Sequence, residues 1–487
     1  MQNLKPLIEQ SISINNKYQK KGDKTHPLSS GILILEVVIM EKNIYESKSI
    51  LRLVATFSFP AIFSLLMEIM TSVVDTIFAG HLGTDSVDAL TAMELLSPLL
   101  NIFTAIQALY AVSTSILIAR HLNNPAERDG YFSTGILCTL LVSTTVSALS
   151  YWGTESILHL LGAKQMVFIF AKDYLQIQLL SNIFSALGYT FTSSIRAFGY
   201  PKTEMLITAL SIVTNIIANV IFAFGLHMGL AGLALGTLIS EIFCMFLALM
   251  WLVQKKFLPA LQHVEKTKQF SRAWELFRLG FAQTIIQLLG GCTAFFMNHS
   301  FMLYGTLHYV AVWNMIQKIY TLFLMPIVGI TQGIQTIIAY YSGHQKETQK
   351  RETICYTVIC TMLYGFVALA LIFLLGGKIL TVFSTSGTLL AQSMTVLKIV
   401  FLTFPIVGIF YTILTLLEVT GHEIKAIVLT LSRQVFLLLP LVYLLPKLLP
   451  QYNNAIFCAV PLTDLFVLII AATIIIKTIK SKSSANK

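Results

Sequence analysis

Charge is what this chain has least of. Asp, Glu, Lys and Arg together make up 11% of its 487 residues, where soluble domains carry about 25%, and that deficit excludes an ordinary water-facing surface. Cysteine is sparse as well. Cys138, Cys244, Cys292, Cys355, Cys360 and Cys458 all fall within or at the edge of apolar stretches, with no CxxC pair. That pattern reads as small buried hydrophobes and excludes a disulfide framework or a thiolate metal site. No Ser-His-Asp order, HExxH, Walker or dinucleotide-binding motif occurs, so enzyme chemistry has no foothold. The formal net charge of +10 does not point to nucleic acid, because the basic residues lack aromatic interleaving and sit at loops and tail.

Hydrophobic residues are abundant, at 55%, and they come in runs longer than the ~20 residues that cross a ~30 Å hydrocarbon core. Uncharged windows mark twelve spans, at 53–80, 89–119, 131–152, 174–198, 205–226, 230–253, 279–304, 307–341, 354–376, 389–418, 426–446 and 455–476. The expected fold is an all-α polytopic membrane protein. Orientation follows from lysine and arginine, which keep short loops cytoplasmic. Of the 33 such residues, 27 fall on the side shared by both termini and four (Lys164, Lys172, Lys378 and Lys447) on the other. Both termini are therefore expected in the cytoplasm, with the chain in a bacterial inner (plasma) membrane.

Residues 1–30 are polar and lysine-rich, and the apolar run Gly31–Met40 is too short to span and is broken by Glu36. No small-residue cleavage site follows, so this is no signal peptide; Met40 offers an alternative start. The expected organisation is a disordered cytoplasmic segment at 1–48, a first lobe of six helices at 49–253, a basic loop at 254–278, a second lobe of six at 279–476 and a basic tail at 477–487.

The lobes echo each other. Pro98 precedes Gln107 by nine residues in the second span, as Pro326 precedes Gln335 in the eighth. Phe198-Gly199 followed by Leu210-Ser211 corresponds to Thr420-Gly421 followed by Leu431-Ser432. Such internal duplication is typical of two-lobed transporters.

Specific motifs sharpen this. Val74 to Gly83 (VDTIFAGHLG), Arg196 to Lys202 (RAFGYPK), Gly229 to Thr237 (GLAGLALGT), Gly329 to Gln335 (GITQGIQ) and Ser432-Arg433-Gln434 followed by Pro440 resemble, in order, motifs of the multidrug and toxic compound extrusion (MATE) family. The resemblance covers residues 50 to 477. It implies twelve helices in two lobes, alternating access, and export of lipophilic organic cations against entry of protons or sodium, by a monomer needing no cofactor beyond the coupling ion. It also implies an ion site in the first lobe: Asp75, fifteen residues after the hinge proline matched by Pro60, with Asn215, Asn219 and Thr237. Asn219 departs from the pattern, which often has a carboxylate there, and so leaves the choice between proton and sodium open.

The residues make physical sense alone. An acid within the bilayer costs at least ~2.5 kcal/mol and is by default a functional group, and Asp75 is such an acid. Asn215 and Asn219, four apart, share a helix face; their carbonyls suit either a hard cation or a protonated carboxyl, or the amides simply join helices. Glu68, seven residues before Asp75, and Glu241, four after Thr237, are candidate additional acids. Glu94 reads as a wet helix edge and Glu418 as a solvated helix end. Asp464 matches an acid common in the family's last span. Met67, Gln283, Gln287 and Gln335 are the expected substrate-cavity residues, beside further polar groups at Asn298 and Gln332 and adaptable methionines at Met70, Met297, Met302 and Met325. His227 and His308 are expected at the interface. The rival reading is a lipid-linked saccharide flippase of the same superfamily. Its anionic headgroup calls for deep basic residues, and away from the span ends, where Arg196 and Arg433 are placed, only Lys318 and Lys398 qualify.

Overall fold

The computed structural model describes residues 44–46, 49–82, 86–258, 268–304, 307–381, 387–449, 451 and 454–471. The expected N-terminal segment apart from residues 44–46, residues 259–267 of the basic loop and the tail lie outside these residues, as do the side chains of Cys292, Asn298, Met302 and His308. The chain divides into Met1–Ser49 and Ile50–Lys487. In the first unit the described residues are a helical turn at 44–46 and Ser49; everything below concerns the second.

Twelve helical spans follow in order: α1 Ile50–Gly80, α2 Ser86–Arg120, α3 Pro125–Trp152, α4 Gln165–Ala197, α5 Pro201–Gly225, α6 Gly229–Gln254, α7 Gln269–Tyr304, α8 Leu307–Gly343, α9 Glu347–Thr381, α10 Gly387–Phe401 continued by Phe404–Val419, α11 Glu423–Leu448 and α12 Ala455–Ala471. No strand occurs among the described residues. Helix alone satisfies every backbone group inside a span, so apolar runs of this length have little other choice. The short surface helix Thr154–Leu161 was not expected; it ends on Gly162, whose positive φ (88°) closes it.

Two departures from the sequence reading have local causes. The tenth span is not continuous: its two parts meet at 47° across residues 402–403. Pro405, in the first turn of the second part, has no N–H to continue the earlier helix. The fifth and eleventh spans change pitch, each passing into a π-helical stretch, Val220–Gly225 and Ser432–Leu438. Such stretches favour functional sites because they re-aim side chains. Pro60, in contrast, is accommodated in an unbroken α1.

Each half has its own core. In the N-half, Leu96, Phe103, Tyr174, Leu175 and Leu233 pack together; in the C-half, Phe301, Trp313, Ile316, Phe401, Phe404 and Phe457 do. Phe59, Leu149, Trp152, Phe366 and Ile469 are exposed and form part of the apolar surface that lipid requires.

The halves meet where α1 packs on α8 and α2 on α7 and α8. A Cβ on Gly333 would lie 2.8 Å from the Phe57 backbone, and one on Gly343 would collide with the Arg120 carbonyl, so only glycine permits these approaches. Thr284 donates to the Ala105 carbonyl (3.0 Å) and Arg120 to that of Val419 (2.7 Å). Arg272 pairs with Glu127 (3.1 Å), and Arg120 lies 3.8 Å from Glu275. Gly343 and Arg120 end α8 and α2, whereas Thr284 and Ala105 lie mid-helix, beside the cavity-lining Gln287 and Thr104 described below.

Candidate functional site: an acid-lined cavity and a paired one

A cavity of about 600 Å³ opens inside the N-half, walled by α1, α2, α4, α5 and α6, with Gln287 and Gln332 from the C-half. On α1 its lining positions are Ala61, Ser64, Leu65, Glu68, Thr71, Ser72, Asp75 and Thr76, a helical stripe with steps of three and four.

Near one end of this stripe the sequence-predicted ion residues come together. Asn219 Nδ2 donates to Asp75 Oδ1 at 2.6 Å and to Asn215 Oδ1 at 3.1 Å. Asn215 Nδ2 in turn donates to Thr237 Oγ1 at 3.4 Å. Asn215 and Asn219 are buried, and the space for Asn219 exists because α6 carries a glycine there: a Cβ on Gly236 would collide with Asn219 Oδ1. That oxygen is buried without a hydrogen-bond partner. Asp75 has no basic partner, nor do Glu68, Glu94 and Glu241, all lining the same cavity, make an ion pair among the described residues. Glu68 and Glu94 are exposed to the cavity rather than packed.

Of the expected substrate residues, only Gln287 lines this cavity. Met67 does not; at about 100° per residue it falls about 40° beyond Thr71, just past the edge of the stripe. Gln335 is buried in α8 one turn beyond Gln332, which takes the lining position. Gln283 faces Glu418 instead: with its amide nitrogen toward the acid, the two carboxylate oxygens lie 2.8 and 3.2 Å away. Glu418 is accordingly buried (5% exposed) and not the solvated helix end expected from the sequence.

The sequence reading missed several groups. Tyr174 and Tyr189 line the cavity. Gln107 donates to Asn182 (2.8 Å), which donates to Ser147 (2.9 Å), tying α2, α4 and α3 together beside it. Arg196 and Glu204, also in the lining, form a buried pair at 3.2 Å.

The C-half holds a smaller cavity of about 230 Å³, with Met297, Trp313, Tyr320, Tyr411, Arg433 and Asp464 in its walls. Arg433 Nη2 and Nε donate to one oxygen of Asp464 at 2.8 and 3.0 Å, and Thr403 donates to the other at 3.0 Å. The guanidinium lies 4.9 Å from the Phe410 ring centre. Arg433 is not at a span end, as its neighbours in sequence had suggested. Ten residues into α11, it is about 15 Å deep. Asp464 was noted from the sequence, but its pairing with Arg433, 31 residues away, was not.

The fold and these cavities define a polytopic helical membrane protein of two six-helix halves, with an acidic chamber inside the first. The MatE family model matches residues 60–221 and 280–444. The chain belongs to the MatE family, the multidrug and toxic compound extrusion transporters. It is 24% identical to the multidrug export protein MepA of Staphylococcus saprophyticus over 399 residues, covering 81% of this chain and 87% of that one. To MepA of Staphylococcus haemolyticus it is 24% identical over 408 residues, 83% and 89% of the two chains. Among solved structures, the Vibrio cholerae MATE transporter VcmN superposes with a TM-score of 0.81 at 18% identity, covering 90% of this chain and 98% of that one. A multidrug resistance MATE transporter described as outward-facing gives 0.80, also at 18% identity, over 88% and 95%.

Proposed function

We propose that this protein exports lipophilic organic cations across a bacterial inner membrane by coupling their exit to cation entry, with both termini in the cytoplasm. The observation that carries the reading is Asp75, a carboxylate with no basic partner that opens on a cavity holding three further unpaired acids. A monocation entering such a chamber gains roughly 4 kcal/mol from one carboxylate at 4 Å for an effective dielectric of 20. Relatives named as multidrug exporters support the substrate class.

We read the coupling ion as a proton. Asn219 presents its amide N–H to Asp75, which suits a carboxyl that gains and loses a proton; a sodium ion there would need the amide turned to offer its carbonyl. On this reading, protonation of Asp75 from outside and occupation by drug compete. The glycine seam between the halves closes the cytoplasmic side while the cavity is loaded from outside. Flippase activity is disfavoured because both arginines bordering the cavities are already paired with carboxylates, leaving neither charge free for a pyrophosphate. The test is transport of ethidium-like cations and of anionic dyes by the purified protein in vesicles, under an imposed proton or sodium gradient. Cation efflux driven by the proton gradient and lost in Asp75→Asn is the expected result; transport confined to anions overturns it.

A further inference from the structure

The acidic cavity does not end at the seam between the halves. It runs on inside the N-half to Arg196, in the last turn of α4, and Glu204, in the first turn of α5. Both are more than nine-tenths buried (3% and 6% exposed). Their pair is made through Arg196 Nη1 and Glu204 Oε1 at 3.2 Å, while Arg196 Nε and Glu204 Oε2 remain without hydrogen-bond partners. A buried ion pair with an unmet donor and acceptor is poor as a stabilising device, because apolar residues of similar volume do as well or better. Apolar sealing is also already present. Beyond the pair, at the 198–200 turn, Phe198 stacks on Phe257 at 4.3 Å and Tyr200 packs on Trp251 at 4.9 Å.

A chamber that gathers cations at one end has a leak problem at the other. Separation of the halves alternates access across the seam, but the floor of the N-half lies within a single half and must hold throughout. We propose that Arg196 is a fixed positive charge that closes this floor to protons and small cations, with Glu204 holding it in place. A guanidinium at a constriction repels any cation arriving from the chamber, the device by which water pores exclude protons. The paired carboxylate keeps the guanidinium fixed at a depth where an unpaired charge is costly. Arg196 thereby separates coupled entry, which ends at Asp75, from uncoupled passage.

The inference rests on the chamber being the cation path, and its test separates the two ideas. Proton influx into vesicles holding a pH-sensitive dye is measured without drug for wild type, Arg196→Gln, Arg196→Lys and Glu204→Gln, and again with Arg196→Gln in the Asp75→Asn background. Arg196→Gln is expected to raise drug-free influx on the order of tenfold or more, with Asp75 present or absent, while Arg196→Lys and Glu204→Gln, which keep the positive charge, stay as tight as wild type. A tight Arg196→Gln overturns the proposal, as does an Arg196→Lys or Glu204→Gln that leaks like it, since packing rather than charge would then be the seal. Should Arg196→Gln not reach the membrane, Arg196→Met/Glu204→Leu, which removes both charges of the pair and leaves no buried charge behind, takes its place: influx raised as far supports the proposal, and a tight double variant overturns it. If Asp75→Asn retains wild-type efflux while Arg196→Gln leaks, the coupling reading falls and the floor stands.

Discussion

The two halves repeat one architecture and reverse its electrostatics. In the N-half, Asp75 accepts from the amide of Asn219, which further hydrogen bonds link to Asn215 and Thr237, and otherwise opens on the cavity. In the C-half, Asp464 at the cavity wall is clasped by Arg433 and Thr403. Both clusters involve a span that turns π-helical, α5 or α11. An acid without a fixed counter-charge can exchange its cation, whereas an acid holding a guanidinium already has one. On the proposed reading, the repeated helices leave exchange to one half and permanence to the other.

The largest effect should come from Asp75→Asn, which keeps the shape and removes the exchangeable charge. Gradient-driven efflux should vanish while expression and thermal stability are retained; full efflux, or an equal loss in Asp464→Asn with stability unchanged, would erase the contrast between the halves. Next, Arg433→Met leaves Asp464 buried and unpaired, with an expected cost of roughly 3–5 kcal/mol read as a lower unfolding temperature in detergent. The double variant Arg433→Met/Asp464→Leu should recover most of it. A single variant as stable as wild type would show the pair to be dispensable, and the C-half no more locked than the N-half.

A smaller effect is expected at the seam. On the proposed orientation, Gly343→Val should disfavour closure of the seam, because its side chain has no room beside the Arg120 carbonyl. Alkylation of a cysteine introduced at Ser58, on the seam face of α1, should then proceed faster from the cytoplasmic side; unchanged labelling would count against the seam as gate. The mildest change should be Asn219→Asp, which places a second carboxylate against Asp75. The added carboxylate supplies a charged hard-oxygen ligand where wild type has a neutral amide, so the site should favour sodium more than wild type does. An unaltered dependence of transport on sodium would mean that the position does not select the ion.

How much of this was legible in the sequence varies with the range of the interaction. Hydropathy reports each span by itself, which is why twelve could be counted, and the helical period already pointed from Asp75 back to Glu68. The break in α10 had a visible cause in Pro405. Tertiary pairings left no such trace. Nothing near Arg433 names Asp464, and Glu418 was placed in solvent because its neighbours are a turn, whereas Gln283, 135 residues earlier in the chain, covers it. Asp75, Asn215, Asn219 and Thr237 were collected by resemblance to a family, and the 2.6 Å contact between Asp75 and Asn219 is what the resemblance alone did not contain.

The glycine seam has a thermodynamic meaning. Where backbone lies against backbone, at Gly333 with Phe57 and Gly343 with Arg120, the glycine side has no rotamers to freeze on closing or to release on opening, whereas long side chains cost up to about 2 kcal/mol each when ordered. Parting such a surface changes little conformational entropy, so the two arrangements of the halves can stay close in free energy over a wide range of temperature. The bias between them is then left to whatever occupies the chamber.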